Sequence, residues 1–173
     1  MKIDTIETQR LYLRNYVKSD IAFAMSIWND PEMGKYLPDP TIDNIDEEYR
    51  KSLDTLDEYE PCCYLISESK ESGESIGTCS FVPSEDGLVY DIAYCVHMKY
   101  WRNGYATEMV QGMIDYAKQH GAIKITVDIN KENAASNAIV RKFGFKVVGE
   151  KSYNKRGTNL IFEDYKYELE LEM

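Results

Sequence analysis

Several features are scarce in this sequence of 173 residues. No stretch approaches the roughly 18 uninterrupted apolar residues of a membrane span, which argues against a helical membrane protein. Met1-Lys2-Ile3-Asp4 carries charges where a secretory leader would be apolar, so a soluble, cytoplasmic protein is expected. Histidine occurs twice, at His97 and His120, with no cysteine or acid at ligand spacing, and no metal site is expected. The four cysteines, Cys62, Cys63, Cys79 and Cys95, match neither a metal site nor a redox motif and read as buried strand thiols. Cations are also short, 20 Lys plus Arg against 30 Asp plus Glu, giving a formal charge of -10. That balance argues against a nucleic-acid surface, which needs clustered cations, and suits a cationic acceptor better. Repeats and linkers are absent too, and with 43% hydrophobic residues the chain reads as one domain over 1–173, a monomer or homodimer.

What is present is a change of period along the chain. Alternation predicts a strand over 8–16, and Ser19-Asp20 are candidate caps for a helix through Ala22, Met25 and Trp28 that stops at Asn29-Asp30-Pro31. Ile45, Tyr49, Leu53 and Leu56 predict a second helix over 45–56. Strand-like runs at 62–68, 75–82 and 88–96, separated by Ser72-Gly73 and Asp86-Gly87, read as an antiparallel meander. Beyond them, helices over 104–120 and 133–143, each closed by a glycine, alternate with strands at 123–129, 146–153 and 159–171. The expected class is mixed α/β with a mostly antiparallel central sheet and about four flanking helices.

The junction from Tyr90 to Glu108 carries the strongest signal. A strand ending near Val96 passes through a short loop, Arg102-Asn103-Gly104, into a helix that opens Tyr105-Ala106-Thr107. Gly and Ala keep side chains away from a ligand there, while unpaired N–H groups and the helix dipole favour an anion by about 0.3–1 kcal/mol. Arg102 and Lys99 can add charge. By itself, the segment also reads as a plain strand-to-helix turn.

Around it, ordered motifs resemble the GNAT acetyltransferases, and within them the RimJ/RimL-like branch that acetylates ribosomal-protein N-termini. They are Thr8-Gln9-Arg10-Leu11-Tyr12-Leu13-Arg14, Ile27-Trp28-Asn29-Asp30-Pro31, Tyr100-Trp101-Arg102-Asn103-Gly104-Tyr105-Ala106-Thr107-Glu108, Asn133-Ala134-Ala135-Ser136-Asn137 and Lys142-Phe143-Gly144-Phe145. The third is similar to the branch's W-x-x-G-Y-A-T-E. Where the wider superfamily usually begins its phosphate loop with Gln or Arg, this chain has Trp101, as the branch does.

The resemblance implies acetyl-CoA as acyl donor and a primary amine as acceptor, with the pyrophosphate held by Arg102 to Thr107. It implies a central sheet splayed in the middle, where the strand of Asp91 parts from that of Asp128. The backbone of Cys95 and Val96 would pair with the pantetheine arm, and an N–H near Val96 would polarise the thioester oxygen. Asn133 and Asn137, at i and i+4, share a helix face and could reach the cofactor, although Asn133 is equally a natural cap. Asp91 stands where many members place a glutamate base; being one methylene shorter, it needs a bridging water. Asp128 is the weaker alternative, and for both a surface carboxylate is the plain reading.

The usual tyrosine acid, four residues before the glycine of the Gly-Phe pair, is replaced by Val140. Ser136, which matches the branch's serine, is the alternative proton donor, though a serine at a helix start often bonds its own backbone. Tyr36, Tyr49 and Tyr153 are candidate liners of an acceptor pocket. A peptide α-amine, with a pKa near 8, is about a tenth neutral at pH 7, whereas a side-chain amine near 10.4 costs about 4.6 kcal/mol to deprotonate. An α-amine thus needs little help, and the resemblance to the RimJ/RimL-like branch makes a protein N-terminus the first expectation. Acetylation of a polyamine or aminoglycoside, or acyl-CoA binding without catalysis, are the alternatives.

Overall fold

Leu11 and Leu13 are completely buried and Tyr12 between them is exposed, the period-two pattern of a strand with one face on a core. In the computed structural model, which describes residues 1–172, this strand is β2 (Leu11–Asn15). The run expected as one strand over 8–16 is instead the end of a hairpin. β1 (Ile6–Glu7) pairs with β2, and Thr8 turns the chain by donating its N–H to the Leu11 carbonyl at 2.9 Å. The turn is held from outside: Glu108 accepts from the Thr8 hydroxyl and the Arg10 N–H, each at 2.6 Å.

Asp20 does not cap the helix that follows, α1 (Ile21–Trp28). Its carboxylate accepts from Val17 N–H and from both terminal nitrogens of Arg14, each at 2.9 Å, which ties α1 to β2. Helix α2 (Glu47–Leu53) is shorter than the predicted 45–56. It starts where Asp46 accepts the Tyr49 N–H at 2.7 Å, and Ile45 before it is extended.

The expected meander forms as β3 (Cys63–Ser69), β4 (Ser75–Pro83) and β5 (Val89–Val96), all antiparallel. Then come α3 (Tyr105–Gln119), β6 (Lys124–Asn130), α4 (Ala134–Lys142), β7 (Lys146–Asn154) and β8 (Ile161–Glu170). The sheet order is β1-β2-β3-β4-β5-β6-β8-β7. Among the described residues every pairing is antiparallel except β5 with β6, so the mixed α/β class and four α-helices agree with expectation.

Adjacent residues of β3 separate the two layers. Leu65 joins the main core with Phe81, Ile92, Ile125 and Tyr167, roofed by Met109, Val110 and Met113 of α3 and Val140 of α4. Ile66 points the other way, into a smaller cluster with Tyr16 and Ala24 under α1. Each such apolar side chain contributes about 1.5–3 kcal/mol when fully buried. Trp28 closes this layer by donating its indole N–H to Thr78 on β4 at 3.0 Å. Among the described residues no helix is long and apolar enough to cross a membrane.

Candidate active site

Parallel pairing of β5 with β6 covers only Val89, Tyr90 and Asp91 against Lys124, Ile125 and Thr126. Beyond Asp91 the strands part, as the expected splay requires. The free edge of β5 follows from its register on β4. His97 N–H donates to the Ile76 carbonyl at 2.9 Å, so by ladder alternation Cys95, opposite Thr78, also faces β4. The Cys95 carbonyl lies so close to Gly77 that no Cβ fits there. The groups left to line the gap are the N–H and C=O of Tyr94 and the N–H of Val96, because the Val96 carbonyl accepts the Trp101 indole N–H at 2.7 Å. The Cys95 backbone, expected at the gap, faces β4 instead, and Tyr94 stands at the free edge.

At the mouth of the gap the chain turns into α3 through two residues in the left-handed region, Arg102 (φ 63) and Gly104 (φ 76). Among the described residues no acceptor takes any N–H from Arg102 to Thr107, so six consecutive donors sit at the positive end of the longest helix. The loop is braced by a residue the sequence did not flag for it. The Arg10 guanidinium donates to the Asn103 carbonyl at 2.9 Å and to Glu108 at 2.7 Å, and lies 4.3 Å from the centre of the Tyr105 ring. Only the motif around Arg10 hinted at importance, since its partners lie more than 90 residues away. Lys99 is turned away from the mouth and pairs with Glu74 at 2.9 Å.

Between the gap, the α3 start, the α4 start and residues 32–37 opens a cleft of about 650 Å³. Of the expected residues it is lined by Cys95, Val96, Arg102, Gly104, Tyr105, Ala106, Thr107, Asn133 and Ser136, together with Tyr36 and Tyr94. Asn103 is not in the lining; its side chain donates to the carbonyls of Tyr100 and Trp101. Asn133 caps α4 by accepting the Ser136 N–H at 3.2 Å. Asn137 is buried, donating to the carbonyls of Asn130 and Asn133 and accepting from Tyr167 at 2.6 Å, so its amide is committed to joining α4, β6 and β8. Val140 is fully buried; of the hydroxyl-bearing residues that line the cleft, Ser136 and Tyr94 meet where the first turn of α4 faces β5. Burial pushes the Tyr94 phenol up to about 12, so it stays protonated and able to donate.

Asp91 lies outside this lining, at the closed end of the gap. Although the residue has an accessible edge, crowding by its neighbours strips solvent from the carboxyl and raises its pKa above the ordinary value. The Thr126 hydroxyl, donating at 2.7 Å, opposes the rise, Asp128 adds to it, and Lys151 and Lys166 oppose it. Asp128 itself pairs with Lys151. On the same face, Asp164 is buried; one oxygen accepts from Tyr153 at 3.1 Å and the other has no protein donor. Tyr49 donates to Asp39 at 2.9 Å. Burial also raises all four thiols, Cys63 to about 11 and Cys95 to about 12, so none is a thiolate at neutral pH. His97 stacks on Phe23 and His120 on Tyr116, and among the described residues no acid, cysteine and histidine cluster suits a metal ion.

Known proteins are similar to this chain. The N-acetyltransferase p20 of Bacillus licheniformis, itself uncharacterised, is 29% identical over 166 residues, covering 92% of each chain. RimL, a ribosomal L7/L12 alpha-N-protein acetyltransferase, superposes with a TM-score of 0.75 at 19% identity, covering 97% of this chain and 94% of that one. A spermidine N-acetyltransferase from Vibrio cholerae, solved with CoA and spermine, gives a TM-score of 0.78 at 13% identity, covering 93% and 95%. Residues 10–146 match the family described as the acetyltransferase (GNAT) domain, and the chain belongs to that family of N-acetyltransferases.

Proposed function

We propose that this acetyltransferase moves the acetyl group of acetyl-CoA directly to the α-amine of a protein or peptide N-terminus. The observation that carries the donor half is the gap between β5 and β6, opening at a run of six unpaired N–H groups. The loop from Arg102 to Thr107 takes the pyrophosphate, and the pantetheine arm extends along the free edge of β5 against Tyr94 and Val96.

The amine attacks the thioester carbon, and its proton leaves through a water to Asp91, whose raised pKa suits a base better than an ordinary aspartate would. The Val96 N–H faces the gap and steadies the oxyanion, a contribution of about 3 kcal/mol where water is excluded. As the carbon–nitrogen bond forms, the carbon–sulfur bond breaks, and the departing thiolate takes a hydrogen bond from Ser136 or Tyr94 before it is protonated. Transfer is direct because every cysteine is held as a neutral thiol. An α-amine suits a site with a single, water-mediated base, because about a tenth of it is already neutral at pH 7. RimL supplies the parallel for such an acceptor.

A small polycationic amine is the second reading, favoured by the carboxylates of Asp39, Asp91 and Asp164 around the acceptor face and by the Vibrio cholerae enzyme's spermine complex. Thiol release from acetyl-CoA, measured against N-terminal Ser and Ala peptides, spermidine and aminoglycosides, separates the two. Turnover of the peptides is expected. CoA binding without turnover on any acceptor would make the chain a binding module and overturn the proposal.

A further inference from the structure

Asp39 lies in the segment between α1 and α2, and its surroundings hold it unusually firmly for a loop residue. One carboxylate oxygen accepts from the Tyr49 hydroxyl at 2.9 Å. That hydroxyl is steered from behind by the Asn29 amide at 3.1 Å, and the same amide donates to the Pro40 carbonyl at 2.7 Å. From the loop between β7 and β8, the buried Lys155 ammonium reaches across to the carbonyls of Gly34 and Leu37 at 3.0 and 2.6 Å, and the Arg156 N–H takes the Pro38 carbonyl at 3.2 Å. Two remote parts of the chain thus close over the sheet and present one carboxylate.

The position of that carboxylate follows from its segment: Leu37, two residues before it, lines the cleft together with Cys95 and Val96, and Lys155 pins the Leu37 carbonyl. Asp39 is thereby held near the rim of the cleft, where its charge bears on Tyr64 of β3, Cys95 of β5 and Tyr153 of β7. Cys95 immediately precedes Val96, whose N–H faces the gap. Lys155 and Arg156 lie close enough for their charge to favour the Asp39 carboxylate, but among the described residues no cation bonds it. Lys155 is spent on carbonyls, Arg156 pairs with Asp46 and Glu48, and Lys151 pairs with Asp128. Tyr49 is the one side chain that donates to Asp39 among the described residues. Loss of solvent holds the Asp39 carboxyl above the usual carboxylate range, a cost that an arriving ammonium group would relieve.

We infer that Asp39 is a specificity residue for the acceptor, binding a second cationic group on the molecule whose amine is acetylated. The inference rests on the acetyl-transfer reading and narrows the acceptor: a peptide with a basic side chain next to its N-terminus, or a small diamine, each presents the required ammonium. A peptide or amine with one positive charge leaves Asp39 unpaired.

The test compares the parent protein with Asp39→Asn, which keeps an oxygen for Tyr49 to donate to while removing the charge. Two matched acceptor pairs are used, a Ser-Lys peptide against a Ser-norleucine peptide, and 1,4-diaminobutane against 1-aminobutane. In the parent, kcat/KM for the doubly charged member of one pair should exceed that for its partner by about tenfold, the value of one charge-assisted hydrogen bond. The pair that shows the preference identifies the source. In Asp39→Asn the preference should vanish, with rates on the singly charged member and KM for acetyl-CoA unchanged.

A parent with no charge preference in either pair overturns the inference whether or not the variant folds, and so does a preference that survives the substitution. Should no acceptor turn over, the acetyl-transfer reading fails separately. Calorimetric binding of the same four compounds to the CoA-loaded protein then decides the role of Asp39: tighter binding of a doubly charged compound, lost in Asp39→Asn, upholds it, and equal binding sinks it.

Discussion

The Tyr94 hydroxyl donates to the Ser136 carbonyl at 3.4 Å, a bond that ties β5 to the first turn of α4 across the gap where β5 and β6 separate. It sets a phenol beside the serine, in the cleft where the residue at the usual acid position, Val140, is wholly buried. Tyr94→Phe is therefore expected to lower kcat by about 10- to 100-fold, the lower part of the range for a positioned proton donor. KM for acetyl-CoA should stay within about twofold, because the donor acts on charge that develops only as sulfur leaves. An acetyl thioester of a more acidic thiol should recover most of the loss. Equal losses with both thioesters would assign Tyr94 to packing.

Gly104 separates conformation from charge in the phosphate loop. At φ 76, a Cβ there would meet only Arg10 Nη2, at 3.6 Å, so Gly104→Ala is strained by its backbone and not by collision. It should cost about 1–2 kcal/mol of stability. Gly104→Asp adds a carboxylate where the diphosphate is proposed to lie and should weaken CoA binding by about a hundredfold or more, read by calorimetry. Equal affinity in parent and Gly104→Asp would remove the loop from the binding site.

Asp91→Asn should trade activity for stability. A carboxyl whose pKa is raised in the folded protein supports folding while protonated, below its ordinary 3.8, and loses that contribution as pH rises through its raised value. At pH 7 the parent therefore bears the cost of a disfavoured charge, and the variant should melt at the same temperature or higher. Its kcat/KM should fall by about 10- to 100-fold. The acid limb of the parent's pH–rate profile should lie above the usual aspartate range and disappear in the variant. An unchanged profile would send the search for the base elsewhere, with Asp128 next.

Lys155 sits outside the chemistry yet holds the lid of the acceptor face. Lys155→Met removes the donor to the Leu37 carbonyl, which costs about 1–3 kcal/mol when left unpaired, and one of the two donors to the Gly34 carbonyl, which keeps the Leu37 N–H. Residues 34–40 should loosen, visible as faster amide exchange there. KM for the amine should rise several-fold while CoA affinity holds. A matching loss of CoA affinity would mean that this segment also supports the cofactor cleft.

Periodicity and turn chemistry, each written within a few residues, determined most of the elements. The meander through Val96, the helix opening at Tyr105, the glycine at its start and the cap at Asn133 were all legible from the chain, as was the family through its ordered motifs. The errors lie where a distant partner intervenes. A strand expected over 8–16 became a hairpin because Glu108 holds Thr8 and Arg10, and Asp20 serves Arg14 instead of capping α1. Local sequence carries no information about such pairings.

The site divides in the same way. A loop-to-helix turn is a property of consecutive residues, so Arg102 to Thr107 could be singled out from the sequence as the candidate phosphate loop. Which backbone groups face the gap was decided by the register of β5 on β4, which turns Cys95 away and presents Tyr94 and Val96. The commitment of Asn137 to Tyr167, the bracing of the loop by Arg10, and the tether from Lys155 to Leu37 likewise join residues 30 to nearly 120 positions apart. Those meetings exist only after the sheet has closed its order and the two layers have packed, because a side chain's partner is chosen by proximity in space and not along the chain.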